Sequence, residues 1–274
     1  MPARSQVSRG GKHGSAAAFA AVAVLAGLSS AALAVYHARH AVSLVQPIPK
    51  VAQVISAPAT ATPTPEPSAS IPSVAAPIPD SVFIKGVPYT VQAPTGKWDA
   101  AHEEYCEAAA VLMVGRYYKG VKYPNDRIPP ADADSAMSQI VQYERQTWPG
   151  VLDLSLDKVG QDGKQFYNLQ PTISPATLDN IKKSIAGGNP VIIPVMTHGG
   201  PGGAKISPYY SAGNVYHVIV LIGYDTQKLY SDDAGISQGQ NYAYTWDVLS
   251  VAMQAQQQHM GQGSVMLTFS PTSS

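Results

Sequence analysis

The stretch NVYHVIVLIGYDTQKLYSDDAG, residues 214–235, constrains the fold more than any other part of this 274-residue chain. Six of the seven residues from Tyr216 to Ile222 are apolar and β-favouring, which predicts a buried strand opened by His217. After Gly223, Tyr224 and Asp225 the chain turns through Thr226 to Lys228 and returns as LYSDDAG, an antiparallel hairpin. A turn centred on Asp225 pairs residues whose numbers sum to 450 and sets Asp233 opposite His217, with Cβ atoms about 5 Å apart. An even loop shifts the register by one, turns Asp232 to the histidine face and leaves it about 13 Å along the strand. Only the first register makes an orienting contact, so Asp233 is the expected partner.

The second informative stretch is HEEYCEAAAVLMVGRYY, residues 102–118, which holds Cys106, the one cysteine of the chain. Ala109, Ala110, Met113 and Tyr117 recur at helical spacing, predicting a helix packed on one face and ending near Gly120, with Cys106 in its first turn. A lone buried cysteine is commonly packing. A helix N-terminus, however, favours a thiolate over a thiol, and a nearby imidazolium adds to that. Glu103, Glu104 and Glu107 oppose a thiolate and are expected to point to solvent.

A thiolate nucleophile needs a base near it in space. His13, His37 and His40 flank an N-terminal apolar run, His259 follows a Gln-rich segment and reads as surface, and His102 precedes the helix. His198 lies in the glycine-rich loop THGGPGGAKISPYYSAGN, which reads as a mobile site rim. His217 remains. Trp98, Tyr209, Tyr210 and Trp246 are candidates to line a cleft.

The rest of the chain sets the context. Arg4, Arg9 and Lys12 precede the uncharged run AAAFAAVAVLAGLSSAALAV, so residues 1–35 read as a targeting segment, either a signal peptide or a single membrane anchor, with an A-x-A-like triplet at Ala32–Ala34. Either route exports the remainder of the chain and makes the protein extracytoplasmic, secreted or membrane-attached. Residues 36–80 form a linker with nine prolines among Ala, Ser and Thr, a semi-rigid spacer with no core of its own. Residues 81–274, roughly 190 of them, suffice for one domain. Net charge is zero and Lys/Arg cluster only in the N-terminal lead, which gives no footprint for nucleic acid. No Cys/His set has zinc spacing and no glycine motif cradles phosphate, so neither metal nor cofactor is expected.

The order VPYTVQAP, EEYCEAAAVLMV, NVYHVIVLIGYD, LYSDDAG resembles the papain-fold cysteine peptidases, most closely the bacteriocin-leader-processing (double-glycine-peptidase-like) branch. The resemblance covers about residues 84–240. It implies an α+β fold in which an N-terminal helix carrying the cysteine packs on a C-terminal antiparallel sheet carrying the histidine and the acid. It further implies Cys106 as nucleophile, His217 as base and later acid, Asp233 as the group that holds the imidazole, and Gln92 as an amide of the oxyanion hole. The family usually places Gly before the cysteine and Pro after the acid. Tyr105 and Ala234 stand there in this chain, the first bearing on access to the thiol and the second leaving the turn after Asp233 less fixed. The expected activity is hydrolysis of a peptide or related amide through an acyl-thioester. The alternatives are a catalytically silent binding module of the same fold and a transglutaminase-like acyltransferase.

Overall fold

The structure is a computed structural model that describes residues 77–211 and 213–272. The targeting segment and nearly all of the linker lie outside the described residues. Among those that are described, no helix is long and apolar enough to cross a membrane.

The elements run in chain order β1 (Val82–Phe83), α1 (Cys106–Tyr118), α2 (Pro130–Thr147), α3 (Leu156–Tyr167), β2 (Leu169–Pro175), α4 (Leu178–Ala186), β3 (Val191–Met196), β4 (Tyr216–Tyr224), β5 (Lys228–Asp232), β6 (Tyr242–Thr245), α5 (Trp246–Met260) and β7 (Val265–Pro271). The strands form one antiparallel sheet in the order β2-β7-β3-β4-β5-β6, with β1 added on β4. Helices α1 to α3 pack on one another, α1 against β4 and α3 against β2, and α5 packs on β3. This is the α+β arrangement expected from the sequence, a cysteine helix on an antiparallel sheet.

Two departures have local causes. Helix α1 is buried on every side over residues 106–115, where one apolar face was expected. Ala108, Ala109, Ala110 and Gly115 let neighbours approach closely, and a methyl group on Gly115 would stand 2.3 Å from the Tyr167 ring of α3. The second departure concerns the β4–β5 hairpin. Tyr224 pairs with Leu229 and Gly223 with Tyr230, a sum of 453, so the turn is the even one. The Asp225 carboxylate fastens it by accepting from the N–H groups of Gln227 and Lys228, both at 2.7 Å. The register then slips between Leu221 and Gly223, after which Leu221 pairs with Ser231 and Val220 with Asp232, a sum of 452. The bulge changes the parity of the facing residues, so Asp233 lies on the histidine face and Asp232 on the other. Asp233 is the residue that reaches His217, although not through the predicted register.

Candidate active site

Cys106 is the first residue of α1, and His217 is the second residue of β4, beside Tyr216. Both line a cavity of about 640 Å³ together with Gln92, Glu104, Asp153, Tyr210, Gly235 and His259. Of the four aromatic candidates, Trp98, Tyr209 and Tyr210 line it; Trp246, at the start of α5, does not. Trp98, Leu152, Tyr209 and Val215 combine a place on this cavity with an exposed apolar side chain.

His217 donates from Nε2 to Asp233 Oδ1 at 2.9 Å, and both side chains are buried. The same oxygen accepts from the Gly235 N–H at 2.9 Å, and Oδ2 accepts from the hydroxyls of Tyr210 and Tyr244 at 2.7 and 2.6 Å. Burial works to raise the Asp233 pKa, yet the His217 charge and the three side-chain donors together hold it below the ordinary carboxylate value. With Nε2 committed to Asp233, Nδ1 is the nitrogen free for other work.

The turn after Asp233 is firmly held, contrary to the expectation drawn from Ala234. Tyr89 donates from its hydroxyl to the carbonyls of Asp233 and Ile236, and Gln92 N–H donates to the Ala234 carbonyl at 2.9 Å. Gly235 is required where it stands: a methyl there would lie 2.8 Å from His217 Cε1 and 2.9 Å from Nε2. The two ends of the glycine-rich segment after β3 are joined. Thr197 and Val215 are joined through main chain and hydroxyl, and the His198 N–H donates to the Asn214 side chain. His198 is not among the residues lining the cavity.

Several side chains stand otherwise than the sequence suggested. Tyr105 is buried, with its ring 4.8 Å from that of His102 and its hydroxyl 3.3 Å from Ser138, so it turns away from the cavity. His102 lies between Asp99 (2.7 Å from Nδ1) and Asp134 (2.8 Å from Nε2). Burial opposes its charge, but the two carboxylates prevail and its pKa is raised. A ring nitrogen facing each carboxylate is the arrangement of an imidazolium, which does not act as a base. His259 is exposed, in keeping with the surface reading, and it also borders the cavity and pairs with Asp153.

Gln92 is buried, and its Nε2 donates to the carbonyls of His102 and Glu103 at 2.9 and 3.0 Å, while Oε1 has no partner. Both amide hydrogens are therefore engaged. Cys106 departs furthest from expectation. Its sulfur donates to Glu107 Oε2 at 2.9 Å, and Glu107, expected to face solvent, is buried. Burial first, and the Glu107 charge second, push the thiol pKa well up, against the lowering expected from the helix N-terminus. Glu107 is the residue in contact with the sulfur that sequence patterning misplaces. A carboxylate next in sequence to the cysteine was visible, but its burial follows from the packing of three helices.

A family model described as "Peptidase_C39 like family" matches residues 84–263. No curated protein matches the chain. Among solved structures, one from Bacillus anthracis described as a C39-like peptidase is 16% identical with a TM-score of 0.46, covering 72% of this chain and 100% of that one. Xylellain, a cysteine protease from Xylella fastidiosa, is 13% identical with a TM-score of 0.37 over 72% and 88% of the two chains. The Carica candamarcensis cysteine protease CMS1MS2, solved with E-64, is 14% identical with a TM-score of 0.36 over 72% and 100%. The matched span holds both the cysteine helix and the histidine hairpin, and on that match the chain belongs to the Peptidase_C39-like family, a cysteine peptidase of α+β fold.

Proposed function

We propose that Cys106 is the nucleophile of a peptidase whose base is His217, held by Asp233, and that the reaction passes through an acyl-thioester. The observation that carries this reading is the buried His217–Asp233 pair, whose histidine borders the same cavity as the chain's one cysteine. Cys106 Sγ attacks the carbonyl carbon while its proton passes to His217 Nδ1. Asp233 keeps Nε2 protonated and the ring in place. The oxyanion is received by the Cys106 N–H, one of the amides left free at a helix start, and by Gln92 once it gives up one of its two carbonyl partners. The C–N bond breaks, the amine takes the proton from His217, and water then hydrolyses the thioester. Peptide chains are the substrate class, with Trp98, Leu152, Tyr209 and Val215 offering apolar contact at the mouth. The basic lead and apolar run before residue 36 support export of the domain, secreted or membrane-tethered.

Labelling by an epoxide-type thiol inhibitor tests the triad in wild type, His217→Ala and Asp233→Asn. Rapid labelling in wild type, a loss of about 10²–10⁴-fold in His217→Ala and an intermediate rate in Asp233→Asn are expected. Equal rates in all three would sink the assignment.

A further inference from the structure

We infer that Glu107 acts directly on the Cys106 sulfur: as a neutral acid it donates its Oε2 proton to the thiolate, and as a carboxylate it holds the sulfur as a thiol. This rests on the reading of Cys106 as the nucleophile. The orientation of the carboxyl is fixed by its two partners. Oε1 accepts from the Leu154 N–H at 2.8 Å, and an amide hydrogen demands an acceptor, so a proton on Glu107 sits on Oε2. Oε2 faces the sulfur at 2.9 Å. The Leu154 carbonyl in turn accepts from the Tyr216 hydroxyl, which ties this contact to the residue beside His217.

The surroundings oppose a charge on Glu107. Cys106 faces it from its own helix, Asp153 from the loop before α3, Glu144 from α2, Asp162 from α3 and Tyr216 from β4. His217, also on β4, lines the same cavity as Cys106, His259 is occupied by Asp153, and Arg145 acts on Glu144. Glu144 Oε1 and both oxygens of Asp162 are buried without a hydrogen-bond partner. Among the described residues, no Lys or Arg pairs with Glu107, Glu144, Asp153 or Asp162. Burial accordingly pushes the Glu107 pKa up to about 7, although Cys106 and Leu154 pull against it. When the thiol proton moves to His217 Nδ1, the anion left on sulfur meets an O–H donor if Glu107 is protonated and a second anion if it is not. Forming the C–S bond removes the sulfur charge, and Glu107 keeps its proton throughout. The reactive form thus carries its proton on Glu107, and reactivity declines as pH rises through about 7.

Iodoacetamide alkylation followed against pH separates this role from packing, with the single cysteine making the signal unambiguous. Glutamine presents an N–H to the sulfur and an oxygen to Leu154, so Glu107→Gln mimics the neutral acid. Wild type is expected to show a falling limb at about pH 7, and E107Q to lack it, labelling roughly tenfold faster than wild type one unit above that point. A falling limb retained in folded E107Q, or slower labelling than wild type at every pH, overturns the inference while leaving the triad standing. Wild-type labelling no faster than that of the unfolded chain overturns both. The ultraviolet absorbance of the thiolate in wild type gives a second measure that does not depend on the variant folding. It is expected to fall as pH rises through about 7, and a steady rise over that range overturns the inference.

Discussion

Gly235 shows how much of this site rests on a side chain that is missing. Its N–H donates to Asp233, and the space where a Cβ would stand is filled by the His217 imidazole and the Tyr210 ring. Gly235→Ala is expected to displace His217 and reduce turnover by more than about tenfold, with a stability cost of about 1–3 kcal/mol. Turnover and chemical denaturation measured on the same variant check this, since an equal loss of both would make Gly235 a packing residue only. Cys106, His217 and Asp233 were each legible because residue type and local pattern announce them. Gly235 and Glu107 were not, because their meaning comes from neighbours far along the chain. The burial of Glu107, with its bond to the Leu154 amide, needs α2 and α3 to close over α1, which no window around residue 107 contains.

At the scale of elements, local pattern identifies the hairpin but not its register. Periodicity marks a strand and its buried face, but a bulge of one residue leaves no trace in a run as uniformly apolar as VIVLI. Here the slip between Leu221 and Gly223 brings Asp233 to the histidine, doing what an odd turn would have done. Helix α1 is held to α3 at Gly115, where an added methyl would meet the Tyr167 ring at 2.3–2.5 Å. Gly115→Ala is expected to cost about 1–3 kcal/mol, and Tyr167→Ala in the same chain to relieve the clash. Denaturant midpoints of the single and double variants decide it: additive losses would mean the two residues do not meet. Composition predicts a site rim for the loop of residues 197–214, and Tyr209 and Tyr210 of that loop do line the cavity, while hydrogen bonds between Thr197 and Val215 close its base.

For the whole molecule, buried acids govern the response to pH. Glu107 and Asp232 are each pushed up to about 7 by burial, from ordinary values of 4.5 and 3.8. Glu144 is raised as well, by burial and then by the charges of Asp162 and Glu107, and Asp162 by burial and the charge of Glu107 against the pull of Glu144. The folded state therefore binds more protons than the unfolded one above about pH 4, and stability falls as pH rises through 7. Glu107 and Asp232 each contribute a loss on the order of 3 kcal/mol by pH 9, so the Tm is expected to drop by at least about 10 °C between pH 5 and pH 9. Asp233, whose pKa is lowered, works the other way and destabilises only below about pH 4. A melting temperature that holds steady or climbs from pH 5 to pH 9 would contradict this. The general plan, a cysteine helix against a sheet that carries histidine and acid, was legible because each piece has its own local signature. The sheet order was not, since nothing local places β7 between β2 and β3. That placement carries a consequence for synthesis. The sheet that supports His217 stays split until residues 265–271 have been made and inserted between two strands already present. A chain still on the ribosome at residue 235 holds Cys106, His217 and Asp233, while the sheet to which β4 belongs still lacks β7.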